Sequence, residues 1–122
     1  MIIGIGVDIV EIGRMQALIA RWEGRFLEKV FTADEIALCD QRSHRAASYA
    51  ARFAAKEAFA KALGTGWDDT FSWKDFSIRN EPSGRPTPVL SGRMQSRLQN
   101  VKVHLSLSHS ETHAVAMVVL EK

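Results

Sequence analysis

One stretch constrains the fold more than any other: Ala50-Ala51-Arg52-Phe53-Ala54-Ala55-Lys56-Glu57-Ala58-Phe59-Ala60-Lys61-Ala62-Leu63-Gly64-Thr65-Gly66. Alanine is the strongest helix former, so the run predicts a long helix, and Gly64 just past Leu63 is a usual stop. With Ser43 as its expected N-cap, the helix would span Ser43 to Leu63, ~30 Å at ~1.5 Å per residue. At roughly 100° per residue, Ala47, Ala51, Ala54, Ala55, Ala58 and Ala62 share about a third of the circumference. A face of such small side chains predicts a helix lying tightly on a sheet. Two charged pairs one turn apart flank it, Glu57 with Lys61 on one side and Arg52 with Lys56 across the helix. On spacing alone, Glu57 before Lys61 reads as a surface ion pair worth ~0.3–0.5 kcal/mol.

A chain of 122 residues with 46% hydrophobic content can build one core without metal or disulfide staples, so a single domain, 1–122, is expected. The formal charge of +2 gives no argument for nucleic acid, but it permits a local basic patch for an acidic partner. Cys39 is the single cysteine. No intrachain disulfide is therefore possible, and a cytoplasmic location is expected. The apolar runs near Met1–Val7 and Ala114–Leu120 are too short to span a bilayer, and no positive segment precedes Ile2, so neither a membrane span nor a signal peptide is expected.

In chain order, Met1 to Val10 predicts a strand, apolar on both faces and hence central. Gly4 and Gly6 fall on one face of it, where another backbone can approach closely. Asp8 interrupts the apolar run and needs a basic, donor-rich or metal partner if it is not a turn or cap residue. Ile12, Met15, Leu18, Ile19 and Trp22 recur at helical spacing, predicting a helix from about Glu11 to Trp22. Arg14, Leu18 and Arg21 line one face of it, with Gly24 placed to break the helix and displace Arg25. That face is ordinary solvated surface on one reading and a basic docking surface on the other. Thr32-Ala33-Asp34-Glu35 is a capping box for a short helix ending near Asp40. Gly64-Thr65-Gly66 is a turn whose amides can meet a phosphate or simply stop the helix. Phe71 to Ile78 predicts a strand whose alternation slips between Trp73 and Phe76, as a bulge or a bend would make it. A turn at Glu81–Pro86, a strand at Thr87–Leu90 and a short helix at Gly92–Gln99 follow. Val101 to His109 alternates as a half-buried strand with His109 closing its apolar face, and Ala114–Leu120 is a last apolar strand. The order predicts an α+β fold, a long helix packed on a mainly antiparallel β-sheet.

Asp8, Glu57 with Lys61, and His109 thus stand at element ends or on one helix face. Two carboxylates plus a lysine are a usual kit for a Mg²⁺-bound phosphate ester. No Cys/His spacing points to zinc, and no phosphate-binding loop or dinucleotide fingerprint is present. The segments Gly4-Ile5-Gly6-Val7-Asp8-Ile9-Val10-Glu11-Ile12, Phe31-Thr32-Ala33-Asp34-Glu35, Arg52 to Gly64, Asn80-Glu81-Pro82-Ser83-Gly84-Arg85-Pro86 and Ser106-Leu107-Ser108-His109-Ser110 together resemble, in order, the holo-acyl-carrier-protein synthases. These are the short, single-domain group of 4′-phosphopantetheinyl transferases. The resemblance covers essentially the whole chain; Thr112-His113, where an aromatic often precedes the last strand, departs from it. It implies the phosphopantetheinyl transferase fold. It implies transfer of 4′-phosphopantetheine from coenzyme A to a serine of apo acyl carrier protein, releasing adenosine 3′,5′-bisphosphate, in support of fatty acid biosynthesis. It implies Asp8 and Glu57 as Mg²⁺ ligands and Lys61 near the pyrophosphate; the chemistry adds Glu57, directly or through a metal-bound water, as the base on the carrier serine and Lys61 as the group that stabilises or protonates the departing phosphate. The resemblance places Arg52, Gly64, Gly84, Pro86 and His109 around coenzyme A, and Arg14, Leu18 and Arg21 at the carrier protein. It also implies a homotrimer with interfacial active sites.

Two other readings compete. One is a different Mg²⁺-dependent phosphoryl or nucleotidyl transferase using Asp8 and Glu57. The other is a non-catalytic module that binds an acidic protein or RNA through Arg14 and Arg21. Binding that survives chelation, with no covalent product, would mark the module.

Overall fold

The computed structural model describes residues 1–64 and 72–122. The strand expected at the start is β1, Ile2–Glu11, followed by α1, Ile12–Val30, α2, Ala33–Asp40, and the long α3, Arg45–Leu63. After a 3-10 turn at Trp73–Asp75 come the hairpin β2, Phe76–Asn80, and β3, Pro86–Leu90, the short α4, Gly92–Arg97, and then β4, Lys102–His109, and β5, His113–Glu121. β1, β5 and β4 form one antiparallel sheet in that order; β2 and β3 form a second. The α+β expectation of a long helix on an antiparallel sheet holds.

The close approach of helix and sheet has a local cause. A Cβ added to Gly4 would lie 2.0 Å from the Ala62 carbonyl oxygen, and one added to Gly6 would lie 1.9 Å from that of Ala58. Only glycine fits under α3 at these positions. Two residues of strand advance ~6.6 Å and four of helix ~6 Å, so the two backbones keep step. All six alanines of the predicted stripe are buried. Ala54, Ala55, Ala58 and Ala62 pack with Ala116, Val118 and Leu120 of β5 in one core cluster; Ala51 joins Met15, Ile19, Phe31 and Tyr49 in a second.

Several expectations need correction. β5, not β1, is the central strand of the sheet. Reading β1 as central failed because its second apolar row, Ile3, Ile5, Val7 and Ile9, lies exposed on the outer face. β1 also continues past Asp8, which sits within the strand. The first helix runs on to Val30, with a break in helical geometry at Glu23 (φ 45°, ψ −131°), beside the expected Gly24. Trp22, the last residue of the apolar row that marked the helix, is 45% exposed. α3 begins at Arg45, so Ser43 is not its cap, and its N-cap residue is His44. Of the two readings of the slip between Trp73 and Phe76, the bend is the one present, as the 3-10 turn, and the strand starts only at Phe76. The capping box is present as expected, with the Thr32 hydroxyl accepting from the Glu35 amide at 3.2 Å and Glu35 accepting from the Thr32 amide at 3.0 Å. The Thr65-Gly66 part of the turn, and Phe71, lie outside the described residues. Among the described residues no helix is long and apolar enough to cross a membrane.

Candidate active site

The backbone register that brings β1 under α3 also assembles the charged cluster. Lys61 extends from the exposed side of α3 and its Nζ donates to the Val7 carbonyl at 3.0 Å and to Asp8 Oδ1 at 2.9 Å. Lysine has three donors, so one N–H remains after these two contacts. The lysine side chain is 55% exposed and the Asp8 side chain 19%. Asp8 and Glu57 line one cavity of about 440 Å³. Its walls also include Arg14 and Leu18 of α1, Phe53 of α3, and Glu11 and His113 from the paired ends of β1 and β5. The predicted carboxylates and two of the three predicted docking residues therefore share a single recess. Arg21 stands outside its lining, with its guanidinium 5.1 Å over the Trp22 ring.

The donor set of this recess tests whether Mg²⁺ fits. Among the described residues no group of three or more His, Cys, Asp or Glu side chains is placed to hold a metal ion. Mg²⁺ does not need one: it is commonly held by one or two carboxylates and completes its shell with water and substrate phosphates. Asp8 and Glu57 supply two hard oxygen donors of that kind, and they fit.

A second cavity, of about 340 Å³, is lined by Arg52, Gly84, Pro86 and His109, with Arg42, His44, Ser48 and Asn80 beside them. Arg52 is 5% exposed. It donates from Nη1 to the Ser48 hydroxyl at 3.0 Å and from Nη2 to Asn80 Oδ1 at 3.1 Å, while its Nε is buried without a hydrogen-bond partner among the described residues. A guanidinium so held is a fixed positive charge with capacity to spare, suited to a phosphate. His109 ends β4 on the row of Val103, Leu105 and Leu107, in register with the buried Ala114, but is itself exposed, and its Nδ1 lies 3.3 Å from the Ser110 carbonyl. Gly84 takes φ 91° in the turn between β2 and β3, where a side chain would be strained. Gly64 joins neither cavity lining; it caps α3 at φ 79°, with its N–H on the Lys61 carbonyl at 3.0 Å.

The two predicted charge pairs of α3 separate into different roles. Lys56, expected on a flank with Arg52, is fully buried and ion-paired with Glu35 at 3.0 Å. Its Nζ also donates to the carbonyls of Trp73, at 3.0 Å, and Phe76. Burial pushes its pKa down, while the neighbouring Glu35 charge opposes that shift. Glu35 additionally accepts from the Ile78 amide at 3.1 Å, tying the capping box of α2 to β2. Sequence spacing gave no signal for this pair, because its members lie on different helices. His113 and the Arg42–His44 wall were missed for the same reason: long-range placement, not local pattern, puts them there.

The family model described as "4'-phosphopantetheinyl transferase superfamily" matches residues 4–118. The chain is 45% identical to a holo-[acyl-carrier-protein] synthase of Koribacter versatilis, covering 99% of each chain. Among solved structures, it superposes on the synthase of Neisseria meningitidis with a TM-score of 0.91 at 36% identity, over 100% of both chains. It superposes on the Bacillus anthracis synthase, described in complex with CoA (3',5'-ADP), with a TM-score of 0.83 at 38% identity, covering 98% of this chain and 96% of that one. The chain belongs to the 4′-phosphopantetheinyl transferase superfamily, among its holo-[acyl-carrier-protein] synthases.

Proposed function

We propose that the chain transfers 4′-phosphopantetheine from coenzyme A to a serine of apo acyl carrier protein, with its chemistry centred on Asp8, Glu57 and Lys61. The observation that carries this placement is the convergence of the two carboxylates in one recess with the Lys61 ammonium held on Asp8 at 2.9 Å. Asp8 and Glu57 would hold Mg²⁺, which would supply charge neutralisation at the phosphorus under attack and orientation of the leaving group. Lys61 places its remaining N–H beside the pyrophosphate and stabilises the departing phosphate of adenosine 3′,5′-bisphosphate. Glu57 takes the proton of the carrier serine. The adenosine end lies in the Arg52–His109 cavity, where Arg42, His109 and the Gly84–Pro86 turn meet it beside the Arg52 guanidinium. Arg14, Leu18 and Arg21 form the face that receives the carrier, by the steering that opposite charges give an encounter.

The assembly is a homotrimer in this reading. Two features support it. The recess with Asp8 and the cavity with Arg52 share no lining residue, so neighbouring copies would complete each other's sites. The outer row Ile3, Ile5, Val7 and Ile9, with Met117 beside it, is exposed in the single chain and would be covered between copies. A cytoplasmic location and a part in fatty acid biosynthesis go with this activity. The deciding experiment incubates the chain with coenzyme A, Mg²⁺ and an apo carrier protein and weighs the carrier. A gain of one phosphopantetheine group, lost on adding a chelator, is expected. An unchanged carrier mass refutes the assignment.

A further inference from the structure

The recess around Asp8 and Glu57 has a polar wall that the reaction above does not use: His113, at the start of β5. Its ring is oriented by a chain of hydrogen bonds in the preceding turn. The Ser110 hydroxyl oxygen accepts from the Thr112 amide at 3.2 Å and from the His113 amide at 3.1 Å. Both of its lone pairs are then committed. It cannot accept the Thr112 hydroxyl proton, although the two oxygens are 3.5 Å apart. The exposed Thr112 hydroxyl has His113 Nδ1 at 2.9 Å, a hydrogen-bond distance in either direction. Where the hydroxyl donates to Nδ1, the ring presents its own N–H at Nε2.

Its position says whom the donor serves. Ala114 is buried toward α3, so alternation turns His113 to the opposite face, in register with Glu11 and past the Ile3–Ile9 row that copies would cover, at the end of the strands. Asp8 and Glu57 hold the α3 side of the recess, and Lys61 is paired with Asp8. Arg14 and Leu18, the face proposed for the carrier, complete the wall with His113.

We propose that His113 is a positioning residue for the acidic carrier protein, donating from Nε2–H to a carbonyl or carboxylate oxygen of the carrier beside its serine. This rests on the phosphopantetheine transfer proposed above. The donor fixes the approach of the serine and takes no proton.

The test measures steady-state transfer with apo carrier protein and coenzyme A varied separately, using the full chain. His113→Phe keeps a ring and removes the donor; the expected result is a rise of about tenfold in KM for the carrier, the size of one lost hydrogen bond to a charged or strongly polar group. The loss should fall on that KM and not on kcat, and KM for coenzyme A should move less than about twofold. His113→Gln, whose amide nitrogen can replace the Nε2 donor, should recover most of the carrier KM. An unchanged carrier KM in His113→Phe would overturn the proposal, as would a kcat loss that glutamine does not repair, which marks a base. So would a loss of stability alone, which marks a bond to Glu11. Arg14→Glu measured alongside separates the failures. If it too leaves the carrier KM unchanged, the carrier docks elsewhere; if the unaltered chain transfers nothing, the reaction is wrong. Nitrogen-15 NMR of the unaltered chain reads the tautomer directly and does not depend on how any variant folds. An Nδ1–H tautomer at His113 overturns the proposal.

Discussion

Helix α3 carries two lysines, five residues apart, that meet carboxylates at nearly the same distance and do opposite things. Lys56 meets Glu35 at 3.0 Å with both side chains essentially out of solvent, and Lys61 meets Asp8 at 2.9 Å with its own side chain 55% exposed. The buried pair is saturated: Lys56 also bonds two backbone carbonyls and Glu35 two backbone amides. It holds α2, α3 and the start of β2 together and has nothing left to offer a ligand. The open pair rests on a recess with a second carboxylate in its wall. The distance within an ion pair is therefore a poor guide to its role. What surrounds the pair decides whether it is a fastener or a working group.

The buried pair should give the largest effect on stability. Removing one partner strands the other charge in a low-dielectric interior, which costs ~3–5 kcal/mol. Lys56→Met is expected to lower the unfolding free energy by that much in a urea titration, and Glu35→Ala comparably. A loss under ~1 kcal/mol, the range of an exposed pair, would erase the distinction between the two lysines.

The open site should show the reverse pattern. Asp8→Ala and Glu57→Ala are each expected to lower turnover at least a thousandfold, about 4 kcal/mol of transition-state stabilisation, with thermal unfolding little changed. Near-normal turnover in either variant at ordinary Mg²⁺ would remove that carboxylate from the metal site. Lys61→Ala should be milder. Turnover is expected to fall ten- to a hundredfold, while stability changes by less than ~1 kcal/mol because the pair is solvated. A rate close to normal would return Lys61 to the status of a surface ion pair.

The sequence made much of this legible, for reasons that differ by element. The alanine face of α3 and the glycine pair of β1 are local patterns with one structural outcome, a backbone-to-backbone fit, and Gly4 against Ala62 shows it. The capping box was readable because both its halves lie within four residues. Asp8 and Glu57 were readable as chemistry, since a carboxylate in an apolar strand needs a partner, but Lys61 was first paired with Glu57 by helical spacing. Its bonds to the Val7 carbonyl and to Asp8 belong to the tertiary fold. The centrality of β1 was misread because an apolar outer row looks the same whether it faces a core or a surface. Glu35 was seen only as a cap; its contacts to Lys56 and the Ile78 amide cross 21 and 43 residues, beyond any spacing rule.

A third pair, open to solvent on both sides but braced by a buried tyrosine, sharpens the comparison, and it should give the smallest effect. Arg45 donates from Nε to Asp40 Oδ1 at 2.7 Å, with each side chain 44% exposed, and the buried Tyr49 donates its hydroxyl to the same oxygen at 2.8 Å. The hydrogen bond from Arg45, then that from Tyr49, holds the Asp40 carboxyl below its ordinary value of 3.8. A depressed carboxylate contributes stability that is present above the unfolded-state value and is lost as pH falls through the folded one. At neutral pH the contribution should be under ~1 kcal/mol, since solvent screens so open a pair. Asp40→Asn should therefore melt slightly below the unaltered chain at pH 6 to 7. The gap should narrow once the pH drops below about 3.8, where the unaltered chain loses the same charge. Thermal melts of both chains across that range check it. A gap that stays constant with pH would show that the loss reflects packing around Tyr49, and the pair would then resemble Lys56–Glu35 more than Lys61–Asp8.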